Sequence, residues 1–361
     1  MVEKTLTARG VKCQIIRSGD NLAKIVADSI LSVTNNGDDL SDKDVIGITE
    51  SVIARAANLY VTVDEIAEDV KRLSGNAEEI TLINPIYSRN RFSMILKGVA
   101  RATKKVTIVM PKYDEVGNPC DVNPFTGVNI KEYYSQICKD EGCECEILNN
   151  EDTWYFHKCA IYCGLHDYKS WSNQYNPPLG RLDGKTFITL ADICKDKNPD
   201  FGLLGTNKAT EEKLKLFPTK RIAKNVCVDV KYLIKGVCGK DVVVMAYGDG
   251  SYKDLDAGIW EMADPVSSPG YTDEELLDST PNEVKVKALA DDQYKDLSGE
   301  ELQEAIEHEI SLKNGMSLKG NMVSQGTTPR RYVNLLASLM DLTSGSGDRC
   351  TPIVLVQNYF R

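Results

Sequence analysis

From Val242 to Tyr247, the segment Lys240-Asp-Val-Val-Val-Met-Ala-Tyr247 is apolar or aromatic at every position. A strand with one solvated face alternates polar and apolar residues. An unbroken run therefore predicts a strand covered on both faces, as in α/β sheets flanked by helices. Pro352-Ile-Val-Leu-Val356 has the same character. The residues before it predict a helix. Thr328 supplies a cap, Pro329 the first helical position, and Val333, Leu335, Leu336, Leu339 and Met340 an apolar face, with a stop at Gly345. Between helix and strand lie Ser344, Gly345, Ser346, Gly347 and Asp348. In such a loop the backbone N–H groups can turn inward as a nest for phosphate, and Asp348 can hold a cation beside it. An ordinary glycine-rich turn fits the same residues.

The first apolar run breaks at Gly248-Asp249-Gly250-Ser251, with Asp254 close behind. A carboxylate just past the C-terminal end of a buried strand is well placed to bind metal, and flanking glycines let phosphate approach. An Asp-Gly hairpin turn is the alternative. Near the N-terminus, Asp44–Thr49 predicts a strand that runs directly into a helix from Glu50. Ser51 and Arg55 are one helical turn apart and share a face, which offers a hydroxyl and a guanidinium to an anion. Taken alone, the two residues are more simply read as a cap and a solvated side chain.

The chain divides into three stretches. Residues 1–78 predict a strand, a helix around Leu22–Leu31, the strand at 45–49 and two further helical stretches. Residues 79–200 alternate: strands at Ile80–Asn84, Val106–Met110, Cys145–Leu148 and Thr186–Leu190, and helices at Arg91–Ala102, Val128–Lys139 and Thr153–Cys163. This is the pattern of a small parallel α/β layer, here read as an insertion. Residues 201–361 resume the first pattern, with capping boxes at Thr280-Pro-Asn-Glu283 and Ser298-Gly-Glu-Glu301 opening acidic helices.

With 361 residues, two or three domains are expected, and a net charge of −10 argues against nucleic-acid binding and against an anionic membrane surface. No run is long enough to span a membrane and no signal-peptide core is seen, so a cytoplasmic protein is expected, in which the 11 cysteines stay thiols. Cys159 and Cys163, with His157 and His166 nearby, have spacings a zinc site can use, but buried thiols on an apolar helix face explain them without metal. Cys143 and Cys145 flank one residue of a strand. Gly180-Arg-Leu-Asp-Gly-Lys-Thr186 has three residues between its glycines where a phosphate loop needs four, and it precedes a strand. Three histidines leave triad chemistry poorly supplied.

Taken together, Ile15-Ile-Arg-Ser-Gly-Asp-Asn-Leu-Ala23, Val45–Ala57, Gly239–Gly250 and Tyr332–Val356 resemble the coenzyme F420-0:L-glutamate ligases. Gly202-Leu-Leu-Gly-Thr-Asn-Lys-Ala-Thr-Glu211, Ala263-Asp-Pro-Val266 and Ser324-Gln-Gly-Thr-Thr-Pro-Arg-Arg331 resemble hallmarks of a longer bacterial branch. The resemblance covers roughly residues 10–70 and 200–361. It implies a mixed α/β ligase framework carrying the inserted layer, and a cytoplasmic homodimer. The activity it implies is NTP-driven addition of L-glutamate, in γ-glutamyl linkage, to a small acidic cofactor precursor. It further implies GTP or ATP as co-substrate and Mg²⁺ or Mn²⁺ held by Asp249, Asp254 and Asp348. Ser51, Arg55, Asn207, Lys208 and the loop Ser344–Asp348 would face the nucleotide. Asp249, Arg330 and Arg331 would carry catalysis, the arginines as clamps on carboxylate or phosphate. The chain departs from the family pattern at three points: Arg55 stands where lysine is usual, Leu204-Gly-Thr-Asn207 lacks a carboxylate, and Gly345 replaces a glutamate. A non-catalytic nucleotide-binding protein, another phosphoryl-transfer enzyme, and a ligase for folate-type or cell-wall acceptors remain alternatives.

Overall fold

The computed structural model describes residues 5–83, 89–112, 120–122, 127–149, 158–164, 185–248, 252–253, 260–261, 270–278, 286–312, 331–344 and 350–360. Both apolar runs lie in one sheet, ordered β1 (Thr7–Val11), β14 (Ile353–Gln357), β2 (Val45–Thr49) and β11 (Val243–Tyr247). β14 pairs antiparallel with β1 and β2, and β11 pairs parallel with β2. Alternate side chains feed two cores, which is why the runs carry no polar position. Ile46, Ile48, Val244, Ala246, Ile353 and Leu355 pack on α1 (Leu22–Val33) and α6 (Lys220–Cys238). Val45, Val243, Met245, Tyr247, Val354 and Val356 meet Val333, Leu336, Ala337 and Met340 of α8 (Tyr332–Ser344). Gly47 lets α8 close on β2, since an added Cβ would lie 2.2 Å from Met340 Sδ.

A second sheet runs β6 (Glu144–Asn149), β5 (Lys105–Met110), β4 (Glu79–Ile83), β7 (Cys159–Tyr162), β8 (Thr186–Thr189), all parallel. Neither β4 nor β5 pairs with β11. One face packs on α3 (Val63–Ser74), α4 (Arg89–Ala102) and α5 (Ile130–Asp140), through residues such as Ile66, Ile95, Val99, Tyr134 and Cys138. This core draws on both flanks of the 79–200 stretch: Val61 and Val63 enter from one side, Leu203, Leu214 and Leu216 from the other. Thr62 and Glu65 form the capping box that starts α3, and Gly75, at φ +64°, ends it.

A small antiparallel sheet, β3 (Tyr60–Thr62), β10 (Lys213–Lys215), β9 (Asn207–Thr210), joins the two larger ones. Arg101 of α4 reaches Glu141 at 2.8 and 2.9 Å, Asp64 at 2.6 Å, and Glu212 beside β10 at 3.3 Å. A two-residue pairing of β12 (Tyr252–Lys253) with β13 (Trp260–Glu261) and helix α7 (Gly299–Leu312) complete the described elements used below. No helix among the described residues is long and apolar enough to cross a membrane.

Two local expectations need correction. Cys159 and Cys163 lie not on a helix but in and just after the buried strand β7, between β4 and β8. Spacing of four is shared by a helix turn and by same-face strand positions, and burial on both faces decided for the strand. The last helix starts at Tyr332, three residues later than Pro329, because Tyr332 N–H donates to Asp278 O at 2.9 Å while the Arg331 carbonyl takes the first helical bonds. The first strand is Thr7–Val11, and Ile15–Arg17 is irregular chain leading to the Gly19–Asp20 turn. Asn21 then caps α1 by accepting from Lys24 N–H. Thr280–Glu283 lies outside the described residues, whereas Ser298-Gly-Glu-Glu301 does open a helix.

Candidate functional site

Where the first and third sheets meet, the chain encloses an open cleft of about 1340 Å³. One wall is the irregular segment Cys13–Ser18; another is the strand-to-helix junction Thr49–Arg55 at α2 (Glu50–Ala56). Tyr60, Asn207, Lys208, Lys213 and Lys215 of the small sheet form the third, and Asp341, Leu342, Ser344 and Cys350–Pro352 the fourth. The cleft thus gathers Ser51, Arg55, Asn207, Lys208 and Ser344, which are far apart in sequence.

Gly345, Ser346, Gly347 and Asp348 lie outside the described residues, but both stems of their loop are fixed at the cleft. Thr351 Oγ1 donates to Ser344 O at 2.9 Å, and Thr49 N–H donates to Pro352 O at 2.9 Å. Asp249, Asp254 and Arg330 are also outside the described residues. Arg331 is described, exposed, and not in the cleft. It sits at the start of α8, whereas Leu342 and Ser344 at the other end line the cavity, roughly 16 Å away at 1.5 Å per residue.

The electrostatics of the wall run against those of the whole chain. Net charge is −10, yet among the described residues the lining holds Arg17, Arg55, Lys208, Lys213 and Lys215 against Glu50 and Asp341. Lys208 pairs with Glu211 at 2.6 Å, and Lys215 with both oxygens of Glu50 at 2.6 and 2.8 Å. The side chains of Arg17, Arg55 and Lys213 make no hydrogen bond or ion pair with any described residue. Uncompensated cations in a concave site raise the local concentration of anions.

Glu50 and Lys215 form the floor. They are 3% and 7% exposed, and Gly248 packs against the pair, since a Cβ there would come 2.0 Å from Glu50 Cγ. The pair therefore joins the start of α2, the small sheet and the end of β11, next to Asp249. Sequence reading missed it, along with Arg17 and Lys213. A signal was available: lysine inside Leu214-Lys-Leu-Phe217 sits in an apolar run, and a buried lysine requires a partner.

The thiols behave as structural groups. Burial pushes Cys159 up to about 11 and Cys163 higher still, which favours the protonated thiol at both. His157 and His166 are outside the described residues. Cys143 and Cys145 share hydrogen bonds with a third thiol, Cys138. No group of three His, Cys, Asp or Glu side chains able to hold a metal ion occurs among the described residues. Burial, and then the neighbouring Cys350, raises the Cys13 thiol at the cleft.

A family model described as F420-0:Gamma-glutamyl ligase matches residues 10–358. The match runs through all three sheets and every wall of the cleft. No curated protein gives a significant match.

Proposed function

Because the chain belongs to the F420-0:gamma-glutamyl ligase family, we propose that its cleft binds a nucleoside triphosphate and joins L-glutamate to a small acidic acceptor such as coenzyme F420-0. The observation that supports this is the convergence of Ser51, Arg55, Asn207, Lys208 and Ser344 around one cavity with Arg17 and Lys213, whose side chains have no partner among the described residues. The chemistry needs such a place. An acceptor carboxylate takes the γ-phosphoryl group of the nucleotide and releases the diphosphate. The α-amine of glutamate then attacks the acyl phosphate, forming the amide and releasing phosphate. Each step moves negative charge between oxygens, so fixed cations in a concave site stabilise the transition state.

Arg17, Arg55 and Lys213 are the groups free to meet phosphate or carboxylate oxygens. Lys208 has Glu211 as a competitor, and Lys215 is held by Glu50. A Mg²⁺ or Mn²⁺ ion, when bound, would supply positive charge that offsets the charge developing on the phosphates. Asp249, Asp254 and Asp348 are the residues proposed to hold it. Asp249 is the next residue in sequence after Gly248, which packs on Glu50 of the cleft floor. Arg331 is not proposed for the same site, since α8 carries it to the far end.

The test is phosphate release from GTP and from ATP with coenzyme F420-0, with and without L-glutamate. Glutamate-dependent release, lost in a folded Asp249→Asn variant, supports the ligase. Nucleotide binding without turnover would replace it with a binding protein. Turnover independent of glutamate would replace it with another phosphoryl-transfer enzyme.

A further inference from the structure

Resting on that reading of the cleft, we infer that Ile15 and Leu342 form an apolar seat for a planar heteroaromatic ring whose anionic tail lies on Arg17, Arg55 and Lys213. Ile15 is 77% exposed and Leu342 79%. Only Tyr232, at 78%, matches them among the exposed large hydrophobics of the described residues, and Tyr232 lies elsewhere on α6. Both line the cavity. Apolar side chains are left this open at some cost unless something covers them, and a cleft is where a ligand does so.

Each residue stands beside a group suited to an anion. Arg17 is two residues from Ile15 on the same irregular segment, and Leu342 is two residues before Ser344, the stem of the glycine-rich loop. They are also held from different directions. Gly19 N–H donates to Ala56 O at 2.9 Å, which ties the Ile15 segment to α2, while Leu342 rides on the last turn of α8. A ligand that is anionic at one end and flat and apolar at the other satisfies both halves of this lining, whereas a purely anionic ligand would leave the aliphatic pair in water. Two sources of such a ring fit the proposed reaction: the base of the nucleotide, and the ring of the acceptor.

Full-length wild-type, Ile15→Ser and Leu342→Ser proteins would be titrated with GTP, coenzyme F420-0 and inorganic tripolyphosphate, which has charge and no ring. Covering one aliphatic side chain supports a loss of about tenfold or more in affinity for the ring-bearing ligand in each variant, with tripolyphosphate affinity unchanged. Loss confined to GTP assigns the seat to the nucleotide base, and loss confined to coenzyme F420-0 assigns it to the acceptor. Unchanged affinity for both ring-bearing ligands overturns the inference and leaves the cleft reading intact. An equal loss for tripolyphosphate also overturns it, because the side chains would then act through the fold. Wild-type protein that binds none of the three overturns the cleft reading itself, and the inference with it.

Discussion

Removing one member of the Glu50–Lys215 pair is expected to cost far more stability than removing both. The ammonium lies 2.6 and 2.8 Å from the two carboxylate oxygens, and both residues are nearly sealed from water. At an effective dielectric of about 20, unit charges at that separation attract by roughly 6 kcal/mol, and much of this offsets the desolvation of both groups. Glu50→Met leaves the ammonium buried without its counter-charge, and Lys215→Met does the same to the carboxylate. Each is expected to destabilise by about 3–5 kcal/mol, a large share of a typical total. The double Met variant buries no charge and is expected to fall within about 1–2 kcal/mol of wild type, so the cycle should show strong coupling. Urea unfolding followed by far-UV circular dichroism measures all four proteins. Single variants that lose less than about 1 kcal/mol, or a double variant that loses the sum of the singles, would refute the argument that this pair is desolvated and mutually dependent.

Gly248→Ala should push on the same carboxylate, since the new methyl group would lie 2.0 Å from Glu50 Cγ. A loss of about 1–3 kcal/mol is expected in the urea transition, and it should shrink in the double Met background. Arg55→Ala should weaken GTP binding by about tenfold and flatten its salt dependence, with an unchanged unfolding midpoint because the side chain is exposed and unpaired; calorimetric titration at two salt concentrations decides. Burial would raise the Asp273 carboxyl, but Thr272 and Lys231 hydrogen bonds and the Lys43 charge prevail and hold it below the ordinary range. A depressed folded-state pKa contributes stability that is complete above the unfolded value of about 3.9 and is lost as pH falls through the folded one. Melting temperatures from pH 7 down to pH 3 should therefore drop less steeply in Asp273→Asn than in wild type.

Strands were the most legible part of the sequence, because burial on both faces writes itself as an unbroken apolar run. β11 and β14 were readable on that ground, whereas β4 and β5 each carry a threonine and were readable as short, largely apolar segments whose alternation with helices announced the parallel sheet. Cys159–Tyr162 was misread because a four-residue strand flanked by polar residues offers a period too short to tell from a helix turn. The start of α8 was misplaced for a different reason. A Thr-Pro pair is a sound local cap, but the Asp278 carbonyl captures the Tyr332 N–H, and a contact between residues so distant in sequence leaves no local trace.

The cleft shows the same division between what local pattern can and cannot reveal. Ser51 and Arg55 could be paired from helix spacing alone, and Ser344 from its place before a glycine-rich stretch. That these groups face one another depends on the pairing of β2 with β14 on one side and β11 on the other, extended by the backbone bonds Thr49 N–H to Pro352 O and Lys43 N–H to Asp241 O. Lys213 and Lys215 depend on a third element, since the β10 strand pairs with β3 in the register Lys215↔Tyr60 and so carries both lysines to the junction where α2 begins. Lys215 finds a carboxylate there, and Lys213 finds none among the described residues. One small strand thus supplies the cleft with a neutralised, buried support and, two residues away on the same face, an uncompensated charge at the surface. A binding wall needs both: a packed, charge-paired floor, and cations whose partner arrives with the ligand.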